Sequence, residues 1–343
     1  RFVTLRATRA ANAFTTEENT VYYGAVLPEF QGRLLDLLGD MLRPSLRQED
    51  FDLERNVILD EIARYEDMPT FRCYEKLMAA HFADHPLGNS VLGTPESIAN
   101  LQREQMQAYF DSRYSPTNVT VVGAGNLDFD AFVEDVRKTC GHWQPREAGR
   151  SQLDAPGEPG RSVITDEKVT REHVGLLSSA PSYQDEARDA AHIATTILGD
   201  STGSRLYYAL VETAIADRAH TSYDAMDRAG AIITLISCHP DRTAEALEVA
   251  RNELKRFHDE GPTETEVTAA KNKIASGATL KGELPMGRLT EVGFDWVYCQ
   301  SYEPLAERID KVLSVTAQQV ADVIRQCNIT ATTVLALGPL RTL

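Results

Sequence analysis

The sequence predicts an α+β protein built from two duplicated lobes, and three observations carry that expectation. The chain has 343 residues, too many for one ordinary core and enough for two. Its two halves repeat each other at an offset of about 212–216 residues. One stretch, Gln144 to Arg161, concentrates proline, glycine and charge (Asp154-Ala-Pro-Gly-Glu-Pro-Gly) and reads as the linker between the halves.

The repeat rests on three collinear segment pairs. Tyr22 to Leu38 matches Thr234 to Val249: each is a strand of β-branched and aromatic residues, then a proline (Pro28, Pro240), then an amphipathic helix. Phe51 to Pro69 matches Val267 to Pro285, with Asn56 against Asn272, Ile58 against Ile274, and a Met-Pro or Leu-Pro pair closing each helix. Ile98 to Phe110 matches Val312 to Ile324, and each leads into an expected hydrophobic strand ending on glycine, Val119 to Gly123 and Thr333 to Gly338. Chance similarity of short amphipathic segments does not readily reproduce order and spacing together. The resulting division is an N-terminal lobe over 1–143, a linker over 144–161 and a C-terminal lobe over 162–343. By the same repeat the first lobe is expected to be short by roughly 50 residues at its start. The second copy has there two strands (Ser162 to Asp166, His173 to Ser178) and a helix, Glu186 to Leu198, so their first-lobe counterparts are expected upstream of Arg1.

Composition narrows the function classes. Hydrophobic and charged fractions of 42% and 25% suit a soluble globular chain, and no apolar run is long enough for a membrane span. A net charge of −16, from 35 basic and 51 acidic residues, opposes binding to nucleic acid or anionic membranes. The N-terminus shows neither an initiator methionine nor a signal peptide. The five scattered cysteines form no Cys-x-x-Cys, which argues against a disulfide framework and for a reducing compartment, with the bacterial cytoplasm as the expected location.

The strongest chemical signal lies on the helix expected from about Asp50 to Glu66. At 100° per residue, Leu53, Val57, Ile58, Ile62 and Tyr65 spread over one face, and Glu54 and Glu61 project in the middle of it, within about 20° of each other. Burying unpaired carboxylates costs several kcal/mol, so the pair is expected to answer to a cation, a shared proton or a hydrogen-bonded partner. The second copy has Ala270 and Gly277 at these places, so the scaffold itself does not require the glutamates. The competing structural reading is a solvated stripe or glutamates paired with arginine.

Leu53-Glu-Arg-Asn-Val-Ile-Leu-Asp-Glu-Ile, followed by Glu66-Asp-Met-Pro, resembles the segment of the pitrilysin/insulinase (M16) zinc peptidases that supplies the third zinc ligand. Asn12-Ala-Phe-Thr-Thr-Glu-Glu-Asn-Thr-Val-Tyr-Tyr resembles that family's cleft-lining strand. His85-Pro-Leu-Gly, Gly93-Thr-Pro-Glu-Ser-Ile, Tyr114-Ser-Pro-Thr-Asn-Val-Thr-Val-Val-Gly and, in the second lobe, Gly-Ser-Arg-Leu206 and Leu313-Ser-Val-Thr follow in family order, so the resemblance spans nearly the whole chain. It implies an M16 (LuxS/MPP-like) architecture, each lobe a mainly antiparallel sheet with helices packed on one face. It also implies a zinc-dependent endopeptidase acting on peptides or unfolded segments inside a chamber formed with another M16 unit, as a homodimer or heterodimer. Glu61 would then be a zinc ligand, Glu54 an auxiliary carboxylate, and Asn12, Ala13 and Phe14 would contact an extended substrate.

Two departures qualify the resemblance. The family's other zinc ligands come from an inverted His-x-x-Glu-His motif, and none of the eight histidines sits in one. His81-Phe-Ala-Asp-His85 has the right histidine spacing but follows the glutamate helix and runs into Pro86, so it reads as a helix end and turn. The arginine and tyrosine that active members often carry in the second lobe fall near Val211 and Asp217, so this pair is missing or comes from another subunit. The chain by itself is therefore expected to bind zinc weakly and to be inactive without that motif, and the alternative function is a non-catalytic M16-like subunit that supports or feeds an active partner.

Overall fold

The computed structural model describes residues 10–149, 155 and 157–343, so part of the expected linker lies outside the described residues. In chain order the elements are β1 (Ala10–Thr15), β2 (Thr20–Ala25), α1 (Gln31–Met41), α2 (Gln48–Glu66), α3 (Pro69–Phe82), α4 (Pro95–Asn100), α5 (Arg103–Arg113), α6 (Phe129–Cys140), β3 (Arg161–Thr165), β4 (Glu172–Ser179), α7 (Arg188–Gly199), β5 (Arg218–Met226), β6 (Ala229–Cys238), α8 (Thr243–Glu260), α9 (Glu264–Gly282), α10 (Pro285–Cys299), α11 (Leu305–Ser314), α12 (Ala317–Cys327) and β7 (Thr333–Gly338). No helix among the described residues is long and apolar enough to cross a membrane.

Two compact units emerge, and each draws on both halves of the sequence. The first takes the described residues of Arg1–Ile62, Val91–Gln152 and Lys281–Tyr302; the second takes those of Ala63–Ser90, Leu153–Leu280 and Glu303–Leu343. The duplicated helices α3 and α10 therefore belong to opposite units from the rest of their own copies.

In the first unit β1 and β2 form an antiparallel hairpin, with Ala13 opposite Tyr22 and Phe14 opposite Val21. Its turn is organised by Thr16, whose hydroxyl accepts from the Glu18 and Asn19 N–H groups while its own N–H donates to the Asn19 carbonyl. Tyr298 of α10 anchors that turn, donating to Glu18 Oε2 at 2.9 Å and accepting from Asn19 Nδ2 at 2.6 Å. Gly24 lies where α1 closes on β2, and a Cβ there would stand 2.5 Å from Leu34 Cδ1, so a side chain at this position would need the Leu34 side chain to shift. The expected strand Val119–Gly123 is not formed: these residues carry no ladder among the described residues. A strand exists only through partner hydrogen bonds, and among the described residues the two neighbours that hold its counterpart β7 in the second unit have no equivalents in the first.

The second unit contains a five-stranded mixed sheet in the order β3-β7-β4-β6-β5, antiparallel except for the β3–β7 pair. The run Ala-Ile-Ile-Thr-Leu-Ile in β6 is rich in β-branched residues that suit a pleated surface buried on both sides. Val174 and Leu176 of β4 point into a core shared with α7, α8 and α12, while Leu177, Ile233 and Leu335 point to the other face. That other face is sealed by α3. Its Pro69 sits at the first helical turn, where a missing N–H costs nothing. Its Cys73, Leu77, Met78 and Phe82 are buried against the sheet. Arg72 and Tyr74 tie its start to Asp166 at 2.7 Å and Asp224 at 3.3 Å. All five cysteines are free thiols, and burial pushes those of Cys73 and Cys327 up to about 12.

Candidate functional site

Two features of the first unit hold the residues singled out from the sequence. The first is the outer strand of the hairpin. Asn12, Ala13 and Phe14 are all exposed, and β1 is laddered to β2 alone among the described residues. The N–H of Ala13 is satisfied locally by Asn12 Oδ1 at 2.9 Å. Phe14 leans toward the Tyr23 ring with centroids 6.1 Å apart, leaving an apolar side chain beside an open backbone edge. Such an edge can receive an extended chain as a further strand.

The second feature is α2, and here the expected placement of the glutamates is corrected. The buried seam runs through Phe51 and Ile62, with Arg55, Ile58 and Tyr65 half-buried along the same i, i+4, i+7 line. Leu53 and Val57, assigned to the same apolar face from the sequence, are 67% and 48% exposed. The face splits because five apolar positions spread over about half the helix circumference, whereas the packed seam spans less. Glu54 and Glu61 lie about 60–80° from the centre of that seam, on its border. Glu54 is exposed and Glu61 half-buried, so neither is a carboxylate committed to a core. At the matching places of α9, Ala270 is buried and Gly277 exposed.

The histidines do not join them. His81 is buried on α3, with Nδ1 2.8 Å from Thr333 Oγ1 and Nε2 3.1 Å from Ser179 Oγ. Thr333 already donates its hydroxyl proton to the Glu158 carbonyl at 2.8 Å, so it must accept from Nδ1–H, and Nε2 is left to accept from Ser179. Burial lowers the His81 imidazole to about 4. His85 caps the following turn, its Nδ1 accepting the Leu87 N–H at 3.2 Å. Among the described residues no group of three His, Cys, Asp or Glu side chains is placed to hold a metal ion. Zinc needs three or four donors, so Glu61 alone does not make a zinc site, and the described residues do not fit the ion by themselves.

Residues 100–274 match the family model described as the peptidase M16 inactive domain, and residues 6–95 match that of the insulinases, peptidase family M16. An uncharacterized zinc protease of Mycobacterium tuberculosis is 31% identical over 324 residues, covering 92% of this chain and 73% of its own length. The chain belongs to the M16 peptidase family. The fold agrees: a protease from Helicobacter pylori superposes with a TM-score of 0.89 at 18% identity, covering 96% of this chain and 82% of that one. Complex III2 from Candida albicans contains a chain that superposes at 0.85 with 13% identity, covering 96% and 82%. At such identities the likeness is one of fold alone.

Within an M16 chain, the expected α+β architecture is the one observed, a mixed five-stranded sheet and an antiparallel hairpin with helices packed against them. Sequence reasoning missed an apolar trough of about 440 Å³ in the first unit, bounded by β2, α1, α6, α10 and the segment Val119–Leu127. The missed signal was the placement of α10: its Pro285, Met286 and Leu289 line a space beside β2 and Val119–Leu127 from the other copy. Distance along the chain conceals that relation.

Proposed function

We propose that this chain is the substrate-docking, carboxylate-bearing part of an M16 zinc endopeptidase that cleaves peptides or unfolded segments. Asn12, Ala13 and Phe14 receive the substrate as an added strand, Glu61 is a carboxylate ligand toward the zinc, and Glu54 is an auxiliary carboxylate beside it. What carries this reading is the placement of two acidic side chains on the border of the packed seam of α2, Glu54 exposed and Glu61 half-buried, in a chain 31% identical to a protein named as a zinc protease. Pairing with a second M16 unit would enclose a chamber that admits extended chains and excludes folded ones, which cannot lend their backbone to an edge strand.

The carboxylates are tested by Glu61→Gln and Glu54→Gln in the zinc-containing protein. Glu61→Gln should lower zinc occupancy and peptide turnover together, with folding stability changed by less than about 0.5 kcal/mol. Glu54→Gln should keep the zinc and lower turnover about 10–100-fold. Full zinc occupancy in Glu61→Gln, with a Tm several degrees lower, would overturn the assignment in favour of a bracing role.

The docking strand has its own test. Ala13→Pro removes an N–H that makes no ladder bond, and proline is tolerated on strand edges. It should weaken binding of fluorescein-labelled casein peptides at least fivefold, read by anisotropy, while Tm holds. Unaltered affinity would move the substrate away from β1.

A second reading has an observation of its own. The match of 100–274 to a model described as an inactive domain, with no three-donor group among the described residues, suits a non-catalytic M16 subunit whose partner brings the metal. In that case neither glutamate substitution alters zinc or turnover in the assembled complex.

A further inference from the structure

The β1–β2 hairpin is held at several points, and the hold on its turn comes from the far half of the sequence. Along β2, Gly24 lies against Leu34 of α1, and the Tyr22 hydroxyl is 3.2 Å from that of Tyr114. Both contacts grip β2. Strand β1, which carries Asn12, Ala13 and Phe14, is laddered to β2 alone among the described residues. Its end at Thr15 runs into the turn, and there Tyr298 of α10 bonds to Glu18 and Asn19.

The helix fixes the Tyr298 ring before its hydroxyl is used. A Cβ at Gly293 would stand 3.7 Å from Val122 Cγ2, so α10 passes close to the Val119–Gly123 segment on its way to the turn. Phe294, one helical turn before Tyr298, stacks with its ring at a centroid distance of 6.0 Å and an interplanar angle of 23°. Just beyond, Gln300 adopts the left-handed conformation and closes the helix. Its N–H and its Nε2 donate to the Trp296 carbonyl at 2.9 and 2.7 Å. A phenol both donates and accepts, and here it donates to Glu18 Oε2 at 2.9 Å while accepting from Asn19 Nδ2 at 2.6 Å. Phenylalanine would keep the stack and lose both bonds.

We propose that Tyr298 is a positioning residue for substrate: it holds the turn, and with it β1, where an extended chain can pair with the open edge. This rests on the docking reading given above for Asn12, Ala13 and Phe14. It adds that the second sequence copy supplies the side chain that steadies the docking strand of the first. The reason is the cost of ordering. A two-stranded hairpin is marginal on its own, and an edge that moves must be ordered as substrate binds, which lowers affinity. An edge anchored beforehand avoids that loss. The bond from the phenol to a carboxylate is of the stronger, charge-assisted kind, and it suits that task.

The test compares Tyr298→Phe, Glu18→Gln and Ala13→Pro in the 343-residue chain. Three quantities are read: anisotropy of fluorescein-labelled casein peptides, amide exchange over residues 10–25, and Tm. Tyr298→Phe should weaken peptide binding roughly 5–20-fold, as the loss of a hydrogen bond to a charged group would. It should also speed exchange in the hairpin about tenfold, with exchange in the β5–β6 hairpin unchanged. Tm should stay within about 2 °C, because the ring and its stack remain. Glu18→Gln should bind as the wild type does, since the amide oxygen accepts from the phenol in place of the carboxylate. Equal losses in Glu18→Gln and Tyr298→Phe would put the effect on charge and overturn the proposal. So would a Tm several degrees lower in Tyr298→Phe with unaltered affinity, the mark of a brace without a part in binding. If Ala13→Pro weakens binding and Tyr298→Phe does not, the positioning role fails and the docking strand stands. If neither does, the docking reading fails and takes the role of Tyr298 with it.

Discussion

Leu77→Ala should destabilise the second unit by about 2–5 kcal/mol, the usual range for emptying a fully buried leucine position. Leu77 is 0% exposed, and its Cδ2 lies 2.7 Å from where a Cβ on Gly175 would stand, so the side chain fills a notch that glycine makes in β4. Truncation leaves a cavity that a sheet laddered on both sides of β4 relaxes into poorly. For a unit of this size each kcal/mol is worth roughly 2–4 °C of Tm. Leu53→Ala, at a site 67% exposed, should change stability by less than about 0.5 kcal/mol. Urea midpoints of the two variants decide the matter. Equal effects would show that α3 does not seal this sheet, and with it the assignment of α3 to the second unit would fail.

Acid should weaken the protein before its carboxylates do. His81 is held neutral by burial, down to about 4 from an ordinary value of 6.5. Between those limits the unfolded chain takes up a proton that the folded one refuses, so stability falls as pH drops from 6.5 to 4 and levels off below. The shift corresponds to a loss on the order of 3 kcal/mol. The Glu266 carboxyl works in a lower window. Burial alone would raise it, but the Arg205 guanidinium at 2.7 Å and the Thr263 N–H and hydroxyl hold it at about 2. Its contribution is therefore present above 4.5 and lost as pH falls through 2. Urea midpoints measured from pH 7 to pH 4 should decline in the wild type. In His81→Asn they should start lower, because the links to Thr333 and Ser179 are altered, and decline less steeply, the remaining slope coming from His173 and His192, which burial also lowers. A slope in His81→Asn as steep as in the wild type would assign the acid sensitivity to other groups.

Much was readable from residue order alone. Pattern periodicity marks α2, which begins two residues before its expected start at Asp50 and ends at Glu66 as expected. The same holds for β3, β4 and α7, each within about two residues of expectation. The collinear repeat and its motifs were enough to recognise the M16 family, because order and spacing are properties of the chain itself. Tertiary structure alone decided which apolar residues found partners. Leu53 and Ile62 stand at opposite edges of the apolar half of the same helix, yet one is exposed and the other buried, because the pattern carries no information on which edge another element packs against. Val119–Gly123 and Thr333–Gly338 look alike as strands, yet only the second is one, because a ladder is made by neighbours distant in sequence. The partner of a helix is likewise a non-local fact: α3 covers a sheet whose strands all lie about 80 or more residues downstream, and no local propensity encodes that distance.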